Sequence, residues 1–260
     1  MRDALTNDSV TPLHHQVYMV LRQQIEEGLY HGEKPIPSEH ELSQAFQVSR
    51  ITIRRALDRL KQEGYVSRSR GRGTFARTPP QPQAISANLR GIFENLLAMG
   101  LRTRVKLIEF GYVPATPAVA KKLRLEPGAT VQRAVRVRYH ENIPFSHLTT
   151  YLPEDIGQHC DEQELSDKPL LLLMERAGIR VSAADQIVSA KLADTMVAPL
   201  LNVETGSALL WVKRLVFDQN DRPVEYLHAL YRPDIYEYQM SMSRVEGEQA
   251  ALWSPTAAHG

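Results

Sequence analysis

Along the first third of the chain, apolar residues recur at helical spacing. Leu13, Val17, Leu21 and Ile25 stack on one side of a first helix that Thr11-Pro12 caps and Gly28 ends. Ser38-Glu39-His40-Glu41 has the form of a capping box, opening a short second helix whose Leu42, Ala45 and Phe46 share a face. Gln47-Val48-Ser49 reads as a tight turn. Ile53, Ala56, Leu57 and Leu60 then fall at i, i+3, i+4 and i+7, one stripe of a third helix with Ser49 as its cap and Gly64 as its stop. Residues 65–70 and 74–77 flank Gly71-Arg72-Gly73, a hairpin or wing. Thr78-Pro79-Pro80-Gln81-Pro82-Gln83 is a Pro-rich extended linker and the clearest boundary in the chain. Beyond it, helices alternate with β-type runs at 105–112, 130–139, 144–151, 181–191, 208–217, 223–231 and 235–243. The runs come in close pairs, which predicts an antiparallel α+β sheet rather than βαβ crossovers.

This second half contains an internal repeat. Residues 123–129 (LRLEPGA) match residues 201–207 (LNVETGS), and each continues into a strand, a turn and a second strand starting near Pro144 or Pro223. Each copy closes on Tyr-x-Pro, at Tyr151 and Tyr231, so the offset drifts from 78 at the glycines to 80 at the tyrosines. Two such copies pack as pseudo-symmetric halves of one sheet, and the groove between halves is a natural ligand position.

Charge changes the picture. The 260 residues carry a net charge of only +1, yet residues 50–77 hold nine Arg or Lys against two acids, a net +7. That density is an electrostatic footprint for a phosphate backbone. Residues 1–79 hold 12 basic and 9 acidic side chains, and the remainder 19 and 21. A basic head on a slightly acidic body points to nucleic-acid contact by the head alone. Cys160 is the sole cysteine, so an intrachain disulfide or thiolate metal cluster is excluded, which fits a cytoplasmic protein. No apolar run reaches membrane-spanning length and no signal peptide is visible, so a membrane partner is not expected. His14-His15 cannot present two ligands from one helix face, and His140, His147, His159 and His228 lack zinc-type spacing. Neither a metal, a cofactor nor a catalytic residue is expected.

The third helix offers its first-turn N–H groups and positive dipole end to phosphate, with Arg50 and Thr52 in that turn and Arg54 just behind. Residues 11–77 resemble the winged helix-turn-helix of the GntR family of bacterial transcription regulators. The resemblance rests on Pro37-Ser38-Glu39, then Val48-Ser49-Arg50-x-Thr52-x-Arg54-x-Ala56-Leu57, then Gly71-x-Gly73-Thr74-Phe75. Residues 85–245 resemble the UTRA effector domain of the HutC branch, related in fold to chorismate lyase, through Gly128, Gly206-Ser207, residues 221–226 (DRPVEY) and Tyr231-Arg232. The resemblance implies a winged helix-turn-helix over 11–77, a linker over 78–84 and an effector-binding and dimerisation domain over 85–245. It implies a homodimer that binds double-stranded operator DNA, usually as a repressor, and is released by a small metabolite.

Carried over by position, Ser38, His40, Ser49, Arg50, Thr52 and Arg54 match the DNA-binding face, with Arg68, Arg70, Gly71, Arg72 and Gly73 in the wing. Two departures stand out. His40 occupies a position that is frequently Arg, which weakens that contact or makes it pH-dependent. Gln47 replaces a usual Gly, at a cost of about 1–2 kcal/mol if the turn is left-handed. Arg50 and Arg54 either read guanine edges or only hold phosphates; a bidentate Arg–guanine contact discriminates by about 1–3 kcal/mol.

For the effector, strand alternation puts Gln132, Ala134, Arg136 and Arg138 on one face, with Leu210, Val212, Arg214 and Val216 as their repeat partners. Arginines on a buried face require an anionic partner. Arg136 and Arg138 match family positions that bind effector phosphate or carboxylate, and Glu225 and Tyr231 match positions that touch polar ligand groups. Internal pairing, such as Arg136 with Glu225, is the competing reading. The helix opening Lys168-Pro169-Leu170-Leu171 lacks the hydroxyl of phosphosugar sensors, and Leu148 replaces a common acid. Both favour a small organic acid with an apolar body. Two rival functions are a chorismate-lyase-like enzyme with a DNA-binding head and a constitutive dimeric DNA binder without effector.

Overall fold

The computed structural model describes residue 5 and residues 11–30, 35–69, 72–77, 85–88, 103–239, 242–245 and 252–255. The chain divides into two units, Met1–Gln81 and Pro82–Gly260.

In the first unit, helix α1 spans Leu13–Glu26, α2 Glu39–Phe46 and α3 Arg50–Gln62. Strands β1 (Val66–Ser69) and β2 (Gly73–Ala76) pair antiparallel as the wing. Val17, Leu21 and Ile25 of α1, Leu42 and Phe46 of α2, and Ile53, Ala56, Leu57 and Leu60 of α3 form one buried core. Each large apolar side chain so buried contributes about 1.5–3 kcal/mol, enough to hold helices too short to persist alone. Two expectations fail locally. Ala45 is exposed, because Leu42 and Phe46 at i and i+4 already fill the contact face of α2. The N-cap of α1 is Pro12, without a side-chain cap bond; the Thr11 carbonyl instead accepts from the Gln16 amide.

The ends of α2 and α3 follow the sequence closely. Ser38 Oγ accepts from the Glu41 amide, and the Glu41 carboxylate accepts from the Ser38 amide at 2.8 Å, so the capping box is formed. Gln47 is left-handed at φ 53°. Beyond α3, Gly64 at φ 81° lets the Tyr65 amide donate to the Leu60 carbonyl at 2.8 Å, a Schellman stop.

The second unit is built on a six-stranded sheet whose neighbours are all antiparallel. Its strands are β4 (Arg104–Pro114), β5 (Thr130–His140), β6 (Ile143–Pro153), β7 (Val181–Leu192), β8 (Ala208–Asp218) and β9 (Pro223–Tyr231). Their order is β4-β5-β6-β9-β8-β7. Six of the seven β-type runs map onto these strands, and the described strand residues of 235–243 fall in β10 (Tyr236–Gln239) and β11 (Met242–Val245). β10 pairs parallel with β3 (Ile85–Asn88), and β11 antiparallel with β12 (Leu252–Pro255).

The repeat is reproduced at the level of single hydrogen bonds. Helix α4 (Pro117–Leu123) and its counterpart α8 (Val197–Leu201) both end on a left-handed residue, Arg124 and Asn202. The Ala115 amide donates to the Ala129 carbonyl at 2.8 Å and, 78 residues on, the Ala193 amide donates to the Ser207 carbonyl at 2.8 Å. The two closing tyrosines are not equivalent, however. Arg138 faces Ser146 and Val216 faces Glu225, so the second strands are offset by 79. A one-residue slip reverses the face of a strand residue. Tyr151 therefore meets Tyr226 and His228 on one side of the sheet, whereas Tyr231 meets Phe145 and Tyr236 on the other.

Both faces are covered. Helices α4 and α8 pack Val119, Leu123, Ala198 and Leu201 against Val131, Val137 and Leu230. On the opposite face, Ala134, Leu152 and Val216 meet Ile156 of α5 (Glu154–Gly157), Leu165 of α6 (Glu162–Asp167) and Leu170, Leu173 and Met174 of α7 (Leu170–Arg176). Phe145, Val212, Ala229 and Tyr231 meet Ile235 and Tyr236 on that same face.

Candidate DNA-binding and effector sites

Burying Ile53, Ala56, Leu57 and Leu60 turns the rest of α3 outward, so Arg50 and Arg54 are exposed at its leading end. Ser49 Oγ accepts from the Thr52 amide at 3.2 Å and lies 2.9 Å from Thr52 Oγ1. Ser38 and Ser49 thus serve first as caps that fix where each helix begins. His40 Nδ1 lies 2.9 Å from Arg50 Nη2, joining α2 to α3 at the exposed surface. Glu39 holds the Arg54 guanidinium at 3.0 Å and receives Arg68 from the wing at 3.4 Å. Arg68 also reaches Asp58 at 2.9 Å. Glu39 is a residue that charge counting passed over. It organises two arginines into one array, and only the docking of α2, α3 and the wing brings the three together. Exposed ion pairs of this kind are weakly held and readily exchanged.

Arg72 and Gly73 of the wing are exposed. Gly73 has φ 109°, and a Cβ there would stand 3.0 Å from Pro35 Cβ, so no other residue fits without a shift. Arg70 and Gly71 lie outside the described residues. Arg59 is drawn away from this surface, 4.2 Å from the Tyr18 ring and 3.0 Å from Glu63.

In the second unit, one sheet face gathers Arg136 and Arg138 of β5, Ser146 of β6, Tyr231 of β9 and Arg214 of β8, all buried. Glu225 is half-buried on the same face, separated from β5 by β6. The pairing of Arg136 with Glu225, the competing reading, is not made. Arg136 Nε and Nη1 are buried without a hydrogen-bond partner, and so is Ser146 Oγ. The register explains it, since Arg136 stands between Leu107 and Leu148, while Glu225 stands opposite Val216. Arg138 donates to Thr103 Oγ1 at 3.1 Å. Arg214 grips Gln186 Oε1 through Nε at 2.8 Å and Nη2 at 2.5 Å, and Gln186 donates to Tyr238 Oη at 2.8 Å. Gln132 takes no part: its amide donates to the Gly157 and Cys160 carbonyls at 2.6 and 2.9 Å, tying α5 to the sheet.

Burial sets the electrostatics. It pulls the Arg136 guanidinium below its ordinary value and Arg138 to about 10, the latter helped by repulsion from Arg136. It raises the Glu225 carboxyl against the attraction of Arg136, Arg214 and Arg138. An arginine does not surrender its proton in a protein, so this face carries buried positive charge at an unfavourable energy. Arg214 joins the buried arginines on this face, and the sequence reading left it among apolar repeat partners. Its signal was positional, since it is the 78-residue counterpart of Arg136. Cys160 is fully buried and its thiol is pushed up to about 11, which leaves it a packing residue. Among the described residues no group of three His, Cys, Asp or Glu could hold a metal ion, and no helix is long and apolar enough to cross a membrane.

A capped basic helix with a wing, followed by an α+β unit with an arginine-lined buried patch, defines a DNA-binding regulator with a sensing domain. Residues 13–76 match the model of the gntR family of bacterial regulatory proteins, and residues 98–237 match the UTRA domain. The chain belongs to the GntR family and carries a UTRA effector domain, the HutC-like arrangement. It is a transcription regulator. It is 28% identical to the HTH-type transcriptional repressor NagR of Bacillus subtilis (strain 168), over 93% of this chain and 99% of that one. It is 30% identical to the probable fructoselysine utilization operon transcriptional repressor of Escherichia coli (strain K12), over 81% and 88%. The crystal structure of PhnF from Mycobacterium smegmatis is similar with a TM-score of 0.53 and 26% identity, covering 86% of this chain and 97% of PhnF.

Proposed function

We propose that the chain is a cytoplasmic, homodimeric repressor of a catabolic operon, released from operator DNA by a small organic acid. Residues 11–77 bind the DNA, 78–84 link, and 85–245 bind the effector and dimerise. In this reading Arg50, Thr52 and Arg54 face base edges. Ser38, His40, Ser49, Arg68, Arg70, Gly71, Arg72 and Gly73 position the protein on phosphates.

The observation that carries the effector half is the grouping of orphan polar atoms. Arg136 Nε, Arg136 Nη1 and Ser146 Oγ are buried without partners on one patch of one sheet face. Buried polar groups are otherwise almost always satisfied, and an anion there would satisfy all three. Glu225 and Tyr231 would meet the polar part of the ligand, and Leu148 beside Arg136 supplies an apolar wall. Coupling runs through β10. Tyr231 stacks on Tyr236 at 4.0 Å and Arg214 reaches Tyr238 through Gln186, while β10 pairs with β3, the first strand after the linker.

The test is selection of genomic fragments by the purified protein, then titration of the enriched fragment with carboxylic acids and phosphate monoesters. Release by one carboxylic acid supports the proposal. Release by a phosphate monoester alone would replace the ligand class, and binding that no metabolite alters would favour a constitutive DNA binder.

A further inference from the structure

The two edges of the six-stranded sheet are built differently. β4 carries Arg104, Lys106 and Glu109, bulges at Leu107/Glu109 and ends on Pro114. Charges, a mid-strand bulge and proline are the devices by which an edge strand avoids pairing with another chain. β7, at the opposite edge, has almost none of them. Its twelve residues contain no proline, its single bulge lies at the far end between Val181 and Ala183, and Asp185 and Lys191 are its only charges. Every residue from Ile187 to Leu192 is exposed, with Ile187 at 54%, Val188 at 41% and Leu192 at 64%.

We infer that β7 is the seam on which a second copy of this chain pairs, antiparallel, with a two-fold axis at Val188. This rests on the homodimer reading above and gives it a surface and a register. In a sheet continued across a two-fold axis, each residue opposes one of the same face, so the axis must sit on a residue. Asp185 and Lys191 lie three residues on either side of Val188 and share a face. An axis at Val188 therefore sets each Asp185 opposite the second copy's Lys191, twice, with no like charges opposed. Moving the axis by one residue in either direction loses both ion pairs. The same register places Ile187 opposite Ser189, Gln186 opposite Ala190 and Ala184 opposite Leu192, so residues 184–192 pair throughout. Among the described residues Lys191 makes an exposed contact of 3.6 Å with Asp194, which the new pairing replaces.

The register is tested by a single thiol. Opposed residues of an antiparallel pair have Cα atoms about 4.5–5.5 Å apart, within reach of a disulfide. The native Cys160 is buried and cannot compete. Under mild oxidation the full-length Val188→Cys variant should run almost wholly as a covalent dimer, while the parent chain and Ala184→Cys should not. In sedimentation, Asp185→Lys and Lys191→Asp should each weaken the dimer at least tenfold, and the double exchange should restore it. A parent chain that sediments as a dimer, with no Val188→Cys cross-link and indifferent charge exchanges, overturns the seam and leaves the homodimer standing. A parent chain that stays monomeric at all concentrations removes both.

Discussion

The two units use arginine in opposite ways. Around α3 and the wing, Arg50, Arg54 and Arg68 are exposed, and each lies against His40, Glu39 or Asp58. On the sheet, Arg136, Arg138 and Arg214 are buried, and none has a carboxylate within ion-pair distance among the described residues. The first arrangement is inexpensive to keep and to exchange, which suits the proposed role of a surface that trades ion pairs for phosphates. The second is held at a cost that a bound anion would relieve, which under the proposed function suits a sensor, because ligand binding would then change the stability of the element that reports it.

The comparison is broken most severely at Arg136. Arg136→Met should weaken effector binding about 100-fold, close to 2.7 kcal/mol. It should leave operator binding intact and make the ligand-free protein more stable by about 1–3 kcal/mol, since an unpaired buried charge has gone. Thermal unfolding with and without effector measures both effects. A sharp loss of stability would mean that the guanidinium holds the fold rather than a ligand.

Arg54→Ala is the corresponding change on the exposed side. Operator affinity should fall by about 1–3 kcal/mol, with one base preference relaxed and no change in unfolding temperature. Arg68→Ala should weaken all sequences alike and lower the salt slope of binding by about one. Anisotropy titrations over a range of salt separate the two, and equal behaviour would remove Arg54 from base readout.

Smaller effects sharpen the contrast in where each unit stores unfavourable energy. In the first unit one such store is the backbone of Gln47, left-handed at φ 53°. Gln47→Gly should stabilise it by about 1 kcal/mol, visible as a higher denaturant midpoint without loss of DNA binding. The smallest effect concerns Glu164, whose carboxyl is held down to about 2 by hydrogen bonds from Arg176 and then Lys168. A lowered carboxyl stabilises the fold above its ordinary range and ceases to do so as pH falls toward about 2. Glu164→Gln should therefore lower the unfolding temperature slightly near neutral pH. The difference from the parent should close on acidification, and a constant offset across pH would remove the ion pair as its cause.

Much of this was readable without coordinates because it is local. The capping box at Ser38, the stop at Gly64, the stripe on α3 and the alternation along β5 depend on residues within a turn or two of each other, and periodicity reports them directly. So did the repeat and the arginines at 136 and 138. What the sequence could not settle depends on register and docking between distant segments. The slip that sends Tyr151 and Tyr231 to opposite faces, the Glu39 array and the orphaning of Arg136 from Glu225 were all of this kind. Which carboxylate an arginine meets is fixed by the order of strands in a sheet, and the pattern along any one strand carries no information about that order. The sequence alone determined the elements, the family and the charged residue types available; tertiary structure decided which charges are paired outside and which are buried without a partner.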